Sequence, residues 1–406
     1  MDIGELSTRQ ALVRQSATEI IGALQGENVG FVKRYALGNV ACALADVDGV
    51  EAAHDFADNA VREADLQPGD AFGVWADLYK QGDQSALPKA RRAAGIAGED
   101  LTFVEAMGFM ELGGLHSAER LVELVEAGDV ESIGLARGIT KGAFVVDRTA
   151  LFGKLYRAGD EQSLDLAIEA ARSAKQYTEQ TGDQHYHRSE QALHEMALFA
   201  AGNGKTDDAL KIASSLEAAG NIATLHVALF AQGRTESLEH VLQYMGTDES
   251  RYYRMSIERS LAKAGYAPAL EVVRHRATGD GKVEQGQPRY DTTDRLEDLA
   301  TLHETGDETA ASKIAKLLQN DQDVKYNLHY LRRVGLLSEA TKIAERLHAQ
   351  DASPESTRTL LENSPHNNDL WSRVFEHMLR ERKDIWQASH YVRYLGRIAR
   401  AGNLSD

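Results

Sequence analysis

Leu78-Tyr-Lys-Gln-Gly82-Asp-Gln-Ser-Ala-Leu87 carries the pattern that decides the fold: Leu or Phe, three residues, a glycine, four residues, then Ala or Leu. The same word recurs at Phe109, Gly113, Ala118; Leu155, Gly159, Leu164; Leu229, Gly233, Leu238; Leu261, Gly265, Leu270; Leu302, Gly306, Ala311; and Leu331, Gly335, Ala340. A further match at Leu216, Gly220, Leu225 is out of phase. Composition alone supplies roughly one such match, so the set marks an internal repeat. Each word reads as a helix end: an apolar residue one turn before the stop, a glycine free to turn left-handed, then the first buried residue of the next helix. Successive glycines lie 31 residues apart from Gly82 to Gly113 and 29 from Gly306 to Gly335, with longer gaps elsewhere, so the array is degenerate. Asp48, flanked by Leu44 and Ala53, reads as an earlier copy with aspartate in the glycine position.

Composition agrees with helix throughout. The 406 residues include only 6 prolines and 7% aromatics, whereas β proteins need aromatic and β-branched runs broken by frequent turns. The net charge of −17 disfavours adhesion to nucleic acid or anionic membrane. One cysteine, Cys42, excludes an intramolecular disulfide and a multi-cysteine zinc site, and points to a cytoplasmic setting. The first residues do not read as an export signal, and the sequence has no run of eighteen apolar residues.

Leu78 to Asp83 and Leu155-Tyr-Arg-Ala-Gly-Asp160 resemble the inter-helix turn of tetratricopeptide repeats. Gly335 followed by Ala340, Ala344 and Leu347 is similar to that family's second helix, although the aromatic and small residue expected early in the first helix are usually missing. The resemblance spans roughly residues 35 to 402. It implies an all-α fold: a right-handed superhelical α-solenoid of stacked antiparallel helix pairs, forming a single elongated domain over 1–406. Residues 278–293 (TGDGKVEQGQPRYDTT) read as an exposed loop insertion between pairs. Residues 321–406 are more basic than the rest, with 13 Lys plus Arg against 12 Asp plus Glu. Ile398 and Gly402 begin a further word without its second helix, which reads as a lone capping helix or as the edge of a longer protein.

Catalytic patterns are sparse. His185, His187, Glu190, His194 and Glu195 form the one dense titratable cluster, and His187 and His194 are weak candidates for a metal site on one helix face. A solvated helix surface or a hairpin contact explains that face better, because the zinc-protease spacing of two histidines with an intervening glutamate is absent. No nucleophile elbow, phosphate-cradling loop or dinucleotide fingerprint is present, and no cofactor is implied.

The resemblance instead implies a concave groove lined by first helices, suited to an extended or helical protein segment. Its groove positions fall on Phe72, Tyr79, Phe103, Met107, Met110, Tyr156 and Phe230, an apolar lining, and then on Arg259, Lys263, Lys325, His329, Arg332 and Arg333, a basic one. Packing inside each helix pair is the competing reading of the apolar set. Arg393, Arg397 and Arg400 form a further stripe at helical spacing. The expectation is a noncatalytic scaffold or adaptor for a protein or peptide, acidic where it meets the basic groove. The alternatives are a ligand- or peptide-responsive sensor and, behind it, a metal-dependent enzyme.

Overall fold

A computed structural model describes residues 3–24, 30–63, 66, 68–93, 113–141, 143–182, 186–278, 292–319, 324–350, 389, 392, 393 and 396. Among them there are nineteen α-helices and no strand. In chain order they are α1 (Ile3–Leu24), α2 (Gly30–Asp48), α3 (Val50–Glu63), α4 (Pro68–Lys80), α5 (Ala86–Ala93), α6 (Gly113–Glu126), α7 (Ile133–Thr140), α8 (Val145–Arg157), α9 (Ser163–Thr181) and α10 (Tyr186–Gly202). There follow α11 (Thr206–Ala213), α12 (Ala219–Ala231), α13 (Ser237–Met245), α14 (Arg254–Lys263), α15 (Ala267–Thr278), α16 (Thr292–Glu304), α17 (Thr309–Gln319), α18 (Val324–Arg333) and α19 (Leu337–Gln350). Contacts group the chain into two compact units: Met1–Ser163 with Pro365–Asp406, and Leu164–Ser364.

The chain is a helical-repeat protein in which neighbouring helices pair: α2 with α3, α4 with α5 and α6 with α7 in unit 1, and α10 with α11 through α18 with α19 in unit 2. First helices also stack on first helices. In unit 1 the row runs α2, α4, α6, α8, and in unit 2 it runs α10, α12, α14, α16, α18. Alanine and leucine fill the interior, with Leu78, Leu121, Leu155, Leu193 and Leu331 fully enclosed.

The repeated word is a piece of backbone chemistry. At Gly82 (φ 101°) the amide of Asp83 donates to the carbonyl of Leu78 at 3.1 Å, and the glycine amide donates to that of Tyr79 at 2.9 Å. Gly335 (φ 78°) repeats the pair with Leu331 and Arg332. The apolar residue therefore does two jobs, offering its carbonyl to close the helix and its side chain to the core. Gly113 is the first described residue of α6, and the residues before it lie outside the described ones; a turn of the same kind that the repeated word does not include falls at Gly128 (φ 108°). The left-handed residue of the first copy is Gly49 (φ 90°), directly after Asp48. The expected loop falls between the end of α15 and the start of α16, and its residues 279–291 lie outside the described ones.

Aspartates that follow turn glycines join one pair to the next in unit 1. Arg91 on α5 donates from Nε to Asp129 Oδ2 at 2.9 Å, and Ser132 adds its hydroxyl at 2.5 Å. Arg137 on α7 and Ser163 treat Asp160 the same way, at 2.9 and 2.6 Å. At Asp83 the cation is replaced by His54 of α3, whose Nδ1 lies 2.5 Å from Oδ2. Burial works to raise the Asp129 carboxyl, but hydrogen bonds from Arg91 and Ser132 overcome it and hold it below the usual carboxylate value. Asp129→Ala is therefore expected to cost unit 1 about 2 kcal/mol, because a buried, charge-assisted acceptor is lost. Denaturant unfolding measures it, and a loss below about 0.5 kcal/mol would reduce the clamp to a surface pair.

Candidate functional site: the rows of first helices

In unit 1 a cleft of about 370 Å³ crosses the faces of α4, α6 and α8. Ala150 and Leu151 form its apolar part. Its charged lining is Lys80 from α4, Glu119, Glu123 and Glu126 from α6, and Asp147 and Lys154 from α8. The three glutamates share a face because their spacings of four and three residues follow the helical turn. Lys80 Nζ meets Glu123 at 2.5 Å, and Lys154 Nζ lies 3.9 Å from Glu126. Both pairs are a third or more exposed, so each contributes only about 0–1 kcal/mol and is readily exchanged for another partner.

The row in unit 2 is more tightly bonded. Asp298 on α16 is fully buried and accepts Arg259 Nε of α14 at 2.6 Å and Arg276 Nε of α15 at 2.8 Å. Arg276 also pairs with Glu258, and Arg259 with Asp294 at 3.1 Å. Glu304 receives Lys263 at 2.8 Å and Arg333 at 2.5 Å; Glu297 receives Arg333 at 2.9 Å and the Tyr330 hydroxyl at 2.9 Å. The Arg333 hydrogen bond, assisted by Lys263, pushes the Glu304 carboxyl down to about 2. Burial opposes ionisation of Glu297, but the bonds from Arg333 and Tyr330 win and lower it.

Three of the expected basic residues, Arg259, Lys263 and Arg333, thus gather on one row, each engaged by a carboxylate of α16. His329 is exposed, its ring 4.0 Å from that of Tyr330, and Arg332 is half-buried in the last turn of α18. Lys325 lies in the first turn of the same helix. Of the apolar set, Phe72, Tyr79 and Tyr156 are buried, with exposures of 3%, 6% and 1%. Phe230 is half-buried, edge-on to Tyr266. Phe103, Met107 and Met110 lie outside the described residues. The acidic wall of Glu119, Glu123 and Glu126 was missed, although its spacing was visible in the sequence.

The histidine cluster resolves into separate roles. His187 is exposed, whereas His194 is buried with Nε2 at 2.8 Å from the Thr224 hydroxyl. Glu190 accepts the amides of Glu217 and Ala218 at 2.9 and 2.5 Å and so caps the start of α12. His185 lies outside the described residues. Among the described residues no three His, Cys, Asp or Glu side chains gather to hold a metal ion. Ser85, His54 and Asp83 also lack the geometry of a nucleophile relay: serine and aspartate both face Nδ1, and Nε2 accepts from Lys89 at 2.8 Å. Cys42 is buried, and burial followed by the Asp77 charge pushes its thiol up to about 12, which leaves it unreactive. No described helix is long and apolar enough to cross a membrane.

No family model and no curated protein matches the chain. Among solved structures, one described as a "circular tandem repeat protein with novel repeat topology and enhanced subunit contact surfaces" is 15% identical and matches 99% of each chain, with a TM-score of 0.22. At that score the likeness carries no structural argument, and the helical-repeat architecture rests on the pairing and stacking of the helices themselves.

Proposed function

We propose that the chain is a noncatalytic interaction scaffold, built on tetratricopeptide-like helix pairs, which holds an extended or helical segment of a partner protein along its first-helix rows. The observation that carries this reading is the cleft over α4, α6 and α8, where four carboxylates outnumber two lysines and three helices contribute to one surface. Its exposed ion pairs are weak enough to be exchanged for a partner's charges. Lysine or arginine on the partner matches this lining, and the −17 net charge favours encounter with such a segment. An acidic segment at Arg259, Lys263 and Arg333 would first have to displace Asp294, Asp298, Glu297 and Glu304, so the docking surface is assigned to unit 1.

The test uses two labelled helical peptides of equal length, one lysine-rich and one glutamate-rich, in fluorescence anisotropy with the full chain. The lysine peptide is expected to bind with a marked salt dependence, and the double variant Glu119→Lys, Glu126→Lys to weaken it about tenfold. Equal binding of both peptides, or no change in the variant, would sink the assignment.

A further inference from the structure

Unit 2 holds a further cavity, of about 400 Å³, between α9 and the connection from α11 to α12. Its floor is apolar, made by the buried Ile168, Ala171 and Leu216. Its rim is charged: Arg172, Lys175 and Glu179 of α9 stand three and four residues apart and share one helical face. Two ion pairs set the opposite wall alongside α9, Lys211 Nζ to Asp165 at 2.5 Å and Lys175 Nζ to Glu217. Ser214 and Ser215 lie between Lys211 and Glu217 in sequence and therefore fall toward the Arg172 turn, while Glu217 falls toward the Glu179 turn. The cavity thus has a cationic end that carries hydroxyls and an end that is acidic.

The acidic end already takes an ammonium, that of Lys175, which bonds Glu217 and lies 3.9 Å from Glu179; the Glu217 bond leads in raising its pKa. Tyr186 also lines the cavity, and burial followed by the charges of Glu217 and Glu190 pushes its phenol up to about 12. It therefore stays neutral and adds an aromatic ring to the acidic end, where a cation is favoured. The Lys175 and Glu217 side chains are 41% and 48% exposed, so a ligand can exchange for the lysine at little cost. Arg172, at the other end, is held loosely, 3.7 Å from Glu169, and its fork suits a carboxylate. The helix rises about 10 Å from Arg172 to Glu179, the reach of about three extended residues. A single amino acid, whose ammonium and carboxylate share one carbon, is too short to meet both ends.

We infer that this cavity binds a free peptide of about three residues, its terminal ammonium between Glu179 and Glu217 in place of Lys175, its terminal carboxylate on Arg172, and an apolar side chain on the floor of Ile168, Ala171 and Leu216. The volume lies in the range of small-ligand sites. The site belongs to unit 2 and stands apart from the partner-protein reading, which rests on unit 1, so either can fail alone. Equilibrium dialysis of the labelled tripeptide Ala-Leu-Ala against the full chain is expected to give a Kd below about 1 mM. Free leucine, and the same tripeptide acetylated at its amino end or amidated at its carboxyl end, should each bind at least about tenfold more weakly. Arg172→Glu and Glu179→Lys change exposed side chains and should keep the circular dichroism of the wild type while weakening the tripeptide at least about tenfold. Glu119→Lys, in the unit 1 cleft, should leave its binding unchanged. No retention of the tripeptide at 1 mM, equal binding of leucine or of a blocked peptide, or wild-type affinity in Arg172→Glu and Glu179→Lys would each overturn the inference.

Discussion

Asp298→Ala is expected to destabilise unit 2 by about 3 kcal/mol, at the lower end of what removing one partner from a buried ion cluster costs. Asp298 is fully enclosed, and the hydrogen bonds that reach it include Arg259 Nε at 2.6 Å and Arg276 Nη2 at 3.1 Å on Oδ1, and Arg276 Nε at 2.8 Å on Oδ2. The two arginine side chains are only 14% and 16% exposed, so water cannot take over the lost acceptor. Arg259 keeps Asp294 and Arg276 keeps Glu258, which limits the loss. In a unit of this size the shift in Tm is about 10 °C. Asp298→Asn, which preserves shape and removes charge, should fall between the two. The triple variant Asp298→Leu, Arg259→Met, Arg276→Met should recover part of the stability, because the desolvation cost disappears with the charges. Hydrogen exchange gives the spatial readout: opening of α14, α15 and α16 ahead of α10 would place the loss at this cluster. A change below about 1 kcal/mol in Asp298→Ala would mean that the arginines find other acceptors.

The turns of this fold were legible and the walls were not, for a physical reason. A helix end is local: an apolar residue offering its carbonyl and a glycine three residues after its neighbour are enough to specify the bonds at Gly82 and Gly335. Gly128 escaped because the template required Ala or Leu five residues later, where the chain has Ile133. Which face of a first helix meets solvent depends on a rotation of about 100° per residue. Counting back from Gly82 selects Tyr79, which points into the core, whereas its neighbour Lys80 lines the cleft. In unit 2 the same counting did find Arg259, Lys263 and Arg333 on the row. Their partners could not be read, since Asp294, Glu297, Asp298 and Glu304 become their neighbours only when α16 stacks between α14 and α18.

Acid is expected to unfold the chain in two steps of decreasing stability, one beginning below pH 6.5 and one below about 4.5. The first belongs to His194 and His226. Burial lowers both in the folded state, reinforced at His226 by the charge of His240, whose ring stacks on it at 4.4 Å, and opposed at His194 by Glu195 and Glu190. Above pH 6.5 both histidines are neutral in either state and their contribution is complete. Below it the unfolded chain takes up protons that the folded chain resists, so stability falls with pH until the lowered folded values are reached. The second step belongs to Glu304, Glu297, Asp83 and Asp129, all held down in the folded state. Glu304 sets its extent: the contribution is complete above the unfolded value of 4.5 and is lost as pH falls through about 2. Because Glu304 is about one-third exposed, its own share is on the order of 1–2 kcal/mol after screening. Denaturant titrations at intervals from pH 8 to 2.5 separate the steps. His226→Leu should shrink the first and leave the second, and Glu304→Gln should do the reverse. A free energy of unfolding that stays flat between pH 7 and 5 would show that the buried histidines are protonated as easily in the folded chain as in the unfolded one, and hence that α10 and α12 open to water at those positions.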